Sequence, residues 1–165
     1  MDTRDLYRDV ILDHNRSPRH FGRLEPADAA AVGHNPLCGD SLSLTLRIGH
    51  GAGGAETLSE IRFNGQGCAI SVASASLMSE AVTGKPLAEV EALYRDVHAL
   101  LTGADHTPSQ PLGKLVALAG VREFPARVKC ASLCWHTLHA ALAQRPGSAA
   151  GPTSAAPRPT TVSTE

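Results

Sequence analysis

The sequence has almost no net charge and no long apolar run. Its 165 residues include 15 lysines and arginines against 16 acidic residues, a formal net charge of −1. This balance gives no general attraction for nucleic acid or an anionic membrane, so we expect neither as a partner. No stretch approaches the roughly 20 apolar residues that cross a bilayer, and MDTRDLYRDV lacks the basic and then apolar order of a secretory signal. These absences predict a cytoplasmic protein.

Cysteine is scarce, and the sequence contains no compact C-x-x-C pair. The four cysteines are spread along the chain. In a reducing cytosol this distribution favours free thiols, a metal site or catalysis over a disulfide framework. The separations of 30 residues from Cys38 to Cys68 and of 62 from Cys68 to Cys130 match no zinc knuckle, so this spacing alone is only a weak indication of metal binding.

The composition predicts one domain followed by a tail. With 42% apolar residues, the chain has enough material for a single core, which we assign to residues 1–145. The remaining segment, PGSAAGPTSAAPRPTTVSTE, is rich in Pro, Ser, Thr and Ala and has no periodicity. It cannot bury enough apolar surface to offset the entropy of ordering, so we expect a disordered tail over 146–165.

Hydrophobic periodicity predicts a helix, then strands, then several helices. The first helix ends near NRSPRHFG, and the alternating runs SLSLTLRI and LSEIRFNGQ predict an antiparallel hairpin, with a short strand around AAAV as a weaker prediction. Helices are predicted over CAISVASASLMSEAVTGK, PLAEVEALYRDVHALLTG, PLGKLVALAGV and 125–144. This order predicts an α+β fold, in which helices pack on one face of a small antiparallel sheet of two to three strands.

Three cysteines lie at the edges of these elements. Cys38 precedes a strand in a loop that contains glycine, Cys68 begins a helix, and Cys130 lies near the start of the last helix. Such edges can converge at one end of a sheet. From the residues alone, a shared metal site and separate buried thiols are both open, because cysteine is often simply a core residue.

Four motifs occur in a characteristic order: ILDHNRSPRHFG, NPLCGD, NGQGCAISVASASLMSE and RVKCASLCW. Together, from about residue 5 to 143, they resemble the NifU-like iron–sulfur cluster assembly family, and especially its SufU-type branch. The resemblance implies a SufE/NifU-like fold and a metal site built from Cys38, Asp40, Cys68 and Cys130. Lys129 stands where the IscU-type scaffold usually has a histidine, and YRDVHALLTGADHTPSQPLGK resembles the SufU-type insertion, so both features favour the SufU-type branch.

The implied ligand set suits zinc. Three thiolates and one carboxylate can complete a tetrahedral Zn2+ site, and the single glycine between Cys38 and Asp40 lets both reach one ion. The SufU-type resemblance implies a zinc-dependent sulfurtransferase partner of a cysteine desulfurase (SufS-type), which passes sulfur to downstream iron–sulfur assembly proteins. We take Cys38 as the candidate catalytic acceptor, because Gly39 gives its loop conformational freedom.

Three other functions use the same residues differently. In the first, the protein is a scaffold on which an iron–sulfur cluster replaces zinc and Asp40 is a labile ligand. A cysteine hydrolase based on Cys68 is disfavoured, since no histidine stands in a recognisable partner motif. A purely structural zinc domain is disfavoured because a closed site gains nothing from a mobile Cys38.

The residues around the motifs have less specific interpretations. Asp40 could instead cap a turn, and Lys129 is either solvated or offsets the negative charge of the site. Cys134 lies one helical turn after Cys130 and is predicted to fill the core. The remaining candidates are predicted at the surface or at a partner interface: Arg127, His136 and His139.

Overall fold

The computed structural model describes residues 3–36, 38–145 and 160–163. Over residues 3–36 and 38–145, helices and strands follow one another in the predicted order. The elements are α1 (Thr3–Arg16), β1 (Ala29–Asn35), β2 (Asp40–His50), β3 (Glu56–Gln66), α2 (Ala69–Val82), α3 (Leu87–Thr102), a 3-10 helix (Gly113–Glu123), α4 (Pro125–Ala143) and β4 (Thr160–Ser163). Among them there is no helix long and apolar enough to cross a membrane.

The sheet has the strand order β3-β2-β1-β4, and β2 is antiparallel to both β1 and β3. The predicted hairpin is formed by β2 and β3, and the weaker AAAV prediction is confirmed as part of β1. Alternation decides the buried face, because Leu42, Leu44 and Leu46 are buried while Ser41 and Ser43 are exposed. The predicted α+β fold is confirmed.

The predicted disordered tail differs from the structure at four residues. Thr160–Ser163 form β4, which pairs in parallel with residues 31–34 of β1. The sequence TTVS is rich in β-branched residues, and β1 would otherwise present an unpaired edge. At these four residues the β-branched composition favours a strand, although the lack of periodicity predicted disorder. Residues 146–159 and 164–165 lie outside the described residues, and for them the tail remains a prediction.

Helix α4 lies close against β1 because residue 33 has no side chain. A Cβ atom at Gly33 would lie 2.1 Å from Thr137 Oγ1 and 3.0 Å from Leu133 Cδ1. A larger residue would therefore push the helix away from the strand. Cys130 lies one helical turn before Leu133, so the same close approach brings it toward the end of β1.

Helix α2 lies between α1 and α4 and connects to both through small polar side chains. Ser74 Oγ donates to the backbone carbonyl of Ala131 in α4 at 2.7 Å, while Ser76 Oγ lies 2.7 Å from Nδ1 of the buried His14 in α1. Burial lowers the pKa of His14, with a further contribution from Arg19. The small residues of α2 thus allow three helices to approach closely.

The segment PLGKLVALAGV forms a 3-10 helix, although its pattern predicted a helix of unspecified type. Its buried apolar residues Leu115, Leu118 and Val121 recur at every third position. A 3-10 helix has three residues per turn, so this spacing puts all three side chains on one face.

The connection between α3 and the 3-10 helix is held by a buried carboxylate. Asp96 is 2% exposed and lies 2.7 Å from His106 Nε2, and it accepts hydrogen bonds from Ser109 N at 3.0 Å and Ser109 Oγ at 2.8 Å. Burial acts to raise the pKa of Asp96, but the hydrogen bonds from His106 and Ser109 lower it below its ordinary value. The insertion-like segment is therefore anchored to α3.

We predict that Asp96→Ala lowers the free energy of unfolding by about 2 to 3 kcal/mol, because hydrogen bonds to a charged group are lost. The exposed Asp105 in the same segment provides the matched control, and Asp105→Ala should change stability little. Because the folded pKa of Asp96 is depressed, its contribution is present above the ordinary pKa of 3.8 and is lost as the pH falls further. Urea unfolding at several pH values measures both effects, and equal losses in the two variants would contradict this role.

Candidate metal centre

Cys38 lies in the loop of the β1–β2 hairpin. Asn35 and Asp40 are directly paired at the end of the ladder, and Cys38 lies between them in sequence. Gly39 N–H donates to the carbonyl of Asn35 at 2.9 Å, and Gly39 has a φ of 70°, in the left-handed region that favours glycine. The turn therefore presents Cys38 at an exposed position.

Cys130 lies beside this loop. The Sγ atoms of Cys38 and Cys130 are 3.2 Å apart, and ligand atoms of Cys38, Asp40 and Cys130 all lie within 4.8 Å of one another. Cys38 is exposed, whereas Asp40 and Cys130 are buried. Two elements far apart in sequence thus bring two thiols and a carboxylate to one point.

Cys68 contacts this group through Asp40. It is the N-cap of α2, where its Sγ accepts a hydrogen bond from Ser71 N at 3.5 Å. Its backbone N–H donates to Asp40 Oδ1 at 2.9 Å, and its Sγ lies 3.9 Å from Asp40 Oδ2. Cys68 is outside the group of three whose ligand atoms lie within 4.8 Å of one another. The structure therefore unites three of the four predicted ligands and puts the fourth against the carboxylate.

Burial and neighbouring acidic groups disfavour the negatively charged form of Cys130 when no cation is bound. Burial raises the pKa of Cys130, and its contacts with Cys38 and Asp40 and the charge of Cys68 act in the same direction. A divalent cation reverses this balance, since it favours the deprotonated form of the thiols that bind it. Thiol sulfur together with carboxylate oxygen is a donor set that zinc accepts, so the residues fit this ion.

Several predictions for the neighbouring residues can now be compared with the structure. Among the described residues, Asp40 Oδ1 accepts a hydrogen bond from the backbone N–H of Cys68, 28 positions away, so this carboxylate makes a long-range contact. Cys134 is buried, with a pKa raised to about 12 by burial, and the prediction of a core residue is confirmed. His139 is exposed as predicted, whereas His136 is half-buried and its Nδ1 lies 2.8 Å from the hydroxyl of Tyr94.

Two residues of the site were quoted in the motifs without being given a role. Asn35, the first residue of NPLCGD, is buried, and its Nδ2 donates to Cys130 Sγ at 3.7 Å. Gly67 lies against the carboxylate, since a Cβ atom there would be 2.8 Å from Asp40 Oδ1. Their position near a cysteine in the sequence indicates that both residues lie close to the site. The sequence does not show which residue each of them contacts.

Comparison with known proteins identifies the family. The model of the NifU-like N-terminal domain matches residues 6–131, and the chain therefore belongs to this family of iron–sulfur cluster assembly proteins. It is similar to the zinc-dependent sulfurtransferase SufU of Bacillus subtilis, with 37% identity over 86% of this chain and 92% of that protein.

Two further relatives extend the comparison. The iron–sulfur cluster assembly scaffold protein IscU of Streptococcus pyogenes is 38% identical over 83% of this chain and 82% of its own length. The crystal structure of FiSufU from the thermophile Fervidobacterium islandicum has a TM-score of 0.73 and 29% identity, covering 84% of this chain and 97% of that one. The two curated relatives are equally close in identity, although their names describe different activities.

We predict that Gly67→Ala weakens metal binding by about tenfold or more, because the added methyl group displaces the Asp40 carboxylate. Gly53→Ala is the control in a turn outside the site: a Cβ there meets nothing within 4 Å, so any effect would come only from backbone strain at its φ of 74°. Competition for zinc against a coloured chelator measures the effect. If both variants bind zinc like the parent protein, Asp40 is not held in place by this contact.

Proposed function

We propose that this protein accepts sulfane sulfur from a cysteine desulfurase on Cys38 and delivers it to iron–sulfur cluster assembly. In this proposal, Cys38, Asp40, Cys68 and Cys130 hold one Zn2+ ion. The observation that carries the proposal is the contact between an exposed thiol on a hairpin loop and a buried thiol 3.2 Å away. An exposed sulfur can meet a partner protein, while the buried groups beside it remain in place.

The ligand set is supported by both contact and chemistry. Cys38, Asp40 and Cys130 already lie within 4.8 Å of one another, and Cys68 Sγ lies 3.9 Å from Asp40 Oδ2. When bound, Zn2+ keeps cysteine thiols deprotonated at neutral pH. The residues of this chain then provide three anchored ligands and one exposed thiolate.

The proposed transfer is a thiol–persulfide exchange. The Cys38 thiolate attacks the terminal sulfur of the persulfide on the desulfurase cysteine. A sulfur–sulfur bond forms at Cys38 as the corresponding bond in the desulfurase breaks, and the desulfurase cysteine leaves as a thiolate. The proton of the persulfide stays on the transferred sulfur or is released to water. No external oxidant or reductant is required.

The other two cysteines are less suited to be the acceptor. Cys130 is buried within α4, and Cys68 caps α2 while its backbone holds Asp40. Cys130 is buried and Cys68 is only half-exposed, so both sulfurs are less accessible than Cys38 to a persulfide on a partner protein. Cys38 itself is exposed, in a loop that turns at Gly39.

The rim of the site offers groups for partner docking. Arg127 is exposed in the first turn of α4, and Phe124 just before it is 52% exposed. We assign this rim to a desulfurase of the SufS type, with downstream iron–sulfur assembly proteins as recipients and the cytoplasm as the location. One relative is named a zinc-dependent sulfurtransferase, and Lys129 before the last ligand supports this function over a scaffold.

We predict that Cys38→Ala remains folded and loses the stimulation of a SufS-type desulfurase. The substitution lies in an exposed loop, so little core contact is removed, whereas the accepting sulfur is lost. Cys134→Ala is the control, because it removes a buried thiol outside the proposed ligand set and should retain stimulation. Desulfurase turnover is measured as released alanine, and full stimulation by Cys38→Ala would remove Cys38 from the acceptor role.

The second candidate function is a scaffold for cluster assembly. It is favoured by the scaffold protein of Streptococcus pyogenes, whose 38% identity to this chain is as high as that of the sulfurtransferase relative. In this alternative the same thiols hold iron and sulfide, and Asp40 is the ligand that allows release.

Metal and acid-labile sulfide content distinguish the two functions. We predict about one zinc per chain and no sulfide when the protein is expressed without added metal and purified without oxygen, because the site is completed by four protein ligands. Elemental analysis and a sulfide assay measure this. Iron with matching sulfide, and a visible absorbance band, would establish the scaffold instead.

A further inference from the structure

Asn35 occupies the inner end of the hairpin that carries Cys38. It is the last residue of β1, pairs directly with Asp40 across the ladder, and is 0% exposed. Paired residues of an antiparallel ladder direct their side chains to the same face of the sheet, here the face covered by the helices. Asp40 contacts Cys68 from this position, and Asn35 contacts Cys130.

Two contacts of Asn35 act on the two neighbouring thiols in different ways. Its side-chain Nδ2 donates to Cys130 Sγ at 3.7 Å, so it supplies an N–H group to the buried sulfur. Its backbone carbonyl accepts from Gly39 N at 2.9 Å and closes the turn that presents Cys38. One residue therefore holds both the buried thiol and the turn that carries the exposed thiol.

An N–H donor changes the chemistry of the sulfur that it contacts. A hydrogen bond to a thiolate stabilises its negative charge, and a stabilised thiolate is a weaker nucleophile. The Cys130 sulfur receives this bond in a buried environment, where hydrogen bonds are least disturbed by water. The Cys38 sulfur is on the exposed side of the pair, in contact with Cys130.

We propose that Asn35 is a positioning residue that makes Cys130 the retained ligand of the metal centre and leaves Cys38 as the reactive thiolate. The assignment of Cys38 as sulfur acceptor rests on the proposed function. The hydrogen bond from Asn35 to a metal-bound Cys130 does not depend on it, and it can be tested without a desulfurase.

The first test uses the native chain loaded with an NMR-active isotope of cadmium in place of zinc. In a proton–cadmium correlation spectrum we expect signals from the Cys130 Cβ protons and from the Asn35 side-chain amide, the second transmitted through the N–H···S bond. A Cys130 signal without an Asn35 signal would overturn the hydrogen bond. No Cys130 signal would overturn its role as a retained ligand.

The second test compares the reactivity of the two cysteines in the zinc-loaded protein. Asn35→Leu and Asn35→Asp both remove the N–H donor, and the second keeps the shape of the side chain. In each variant we expect alkylation of Cys130 to be about tenfold faster relative to Cys38, since hydrogen bonds to charged groups are worth at least that factor. Mass spectrometry of peptides after timed iodoacetamide treatment gives both rates.

A matched control lies next to Asn35 on the same strand. His34 is exposed, and His34→Ala should leave the ratio of the two alkylation rates unchanged. An unchanged ratio in both Asn35 variants would overturn the proposal, and so would an equal change in His34→Ala. If instead these results are as expected but Cys38→Ala still stimulates the desulfurase, the role of Asn35 stands and the proposed function fails.

Discussion

The close approach of α4 to β1 is the constraint on which the metal centre depends. A side chain at residue 33 would meet Thr137 and Leu133, so the helix can lie at its observed distance only over glycine. One turn before Leu133, the same helix brings Cys130 to Asn35 and to the Cys38 loop. The site is therefore a consequence of helix-on-sheet packing, and its ligands come from elements that the fold already presses together.

Burial raises the free-energy cost of negative charge at this group. Asp40 and Cys130 are removed from water, and an uncompensated negative charge in such a place is costly. A cation bound at this group would offset that cost and would couple metal binding to the stability of this end of the molecule. The exposed Cys38 is the exception within the group. In the proposed function, this contrast between one exposed ligand and buried neighbours would allow exchange at Cys38 while the other ligands stay in place.

Much of the fold was predictable because its patterns are local. Alternating leucines indicate β2, and the NGQGC sequence marks the start of α2, where Cys68 is the N-cap. The predictions were weaker where the cause is not local. The β-branched run TTVS is compatible with a strand, but its pairing partner is the edge of β1, which lies more than 120 residues earlier in the chain. Asn35 was passed over for the same reason, since its partner Cys130 is 95 residues away.

The sequence by itself determined the family and the identity of the candidate ligands, because the order of four motifs carries that information. Tertiary structure alone decided how those residues meet. It brings Cys38, Asp40 and Cys130 within 4.8 Å of one another, holds Cys68 against the Asp40 carboxylate, and directs Asn35 to the buried sulfur. These contacts depend on the approach of α4 to the sheet and on the register of the β1–β2 hairpin, and neither is encoded in the spacing of cysteines along the chain.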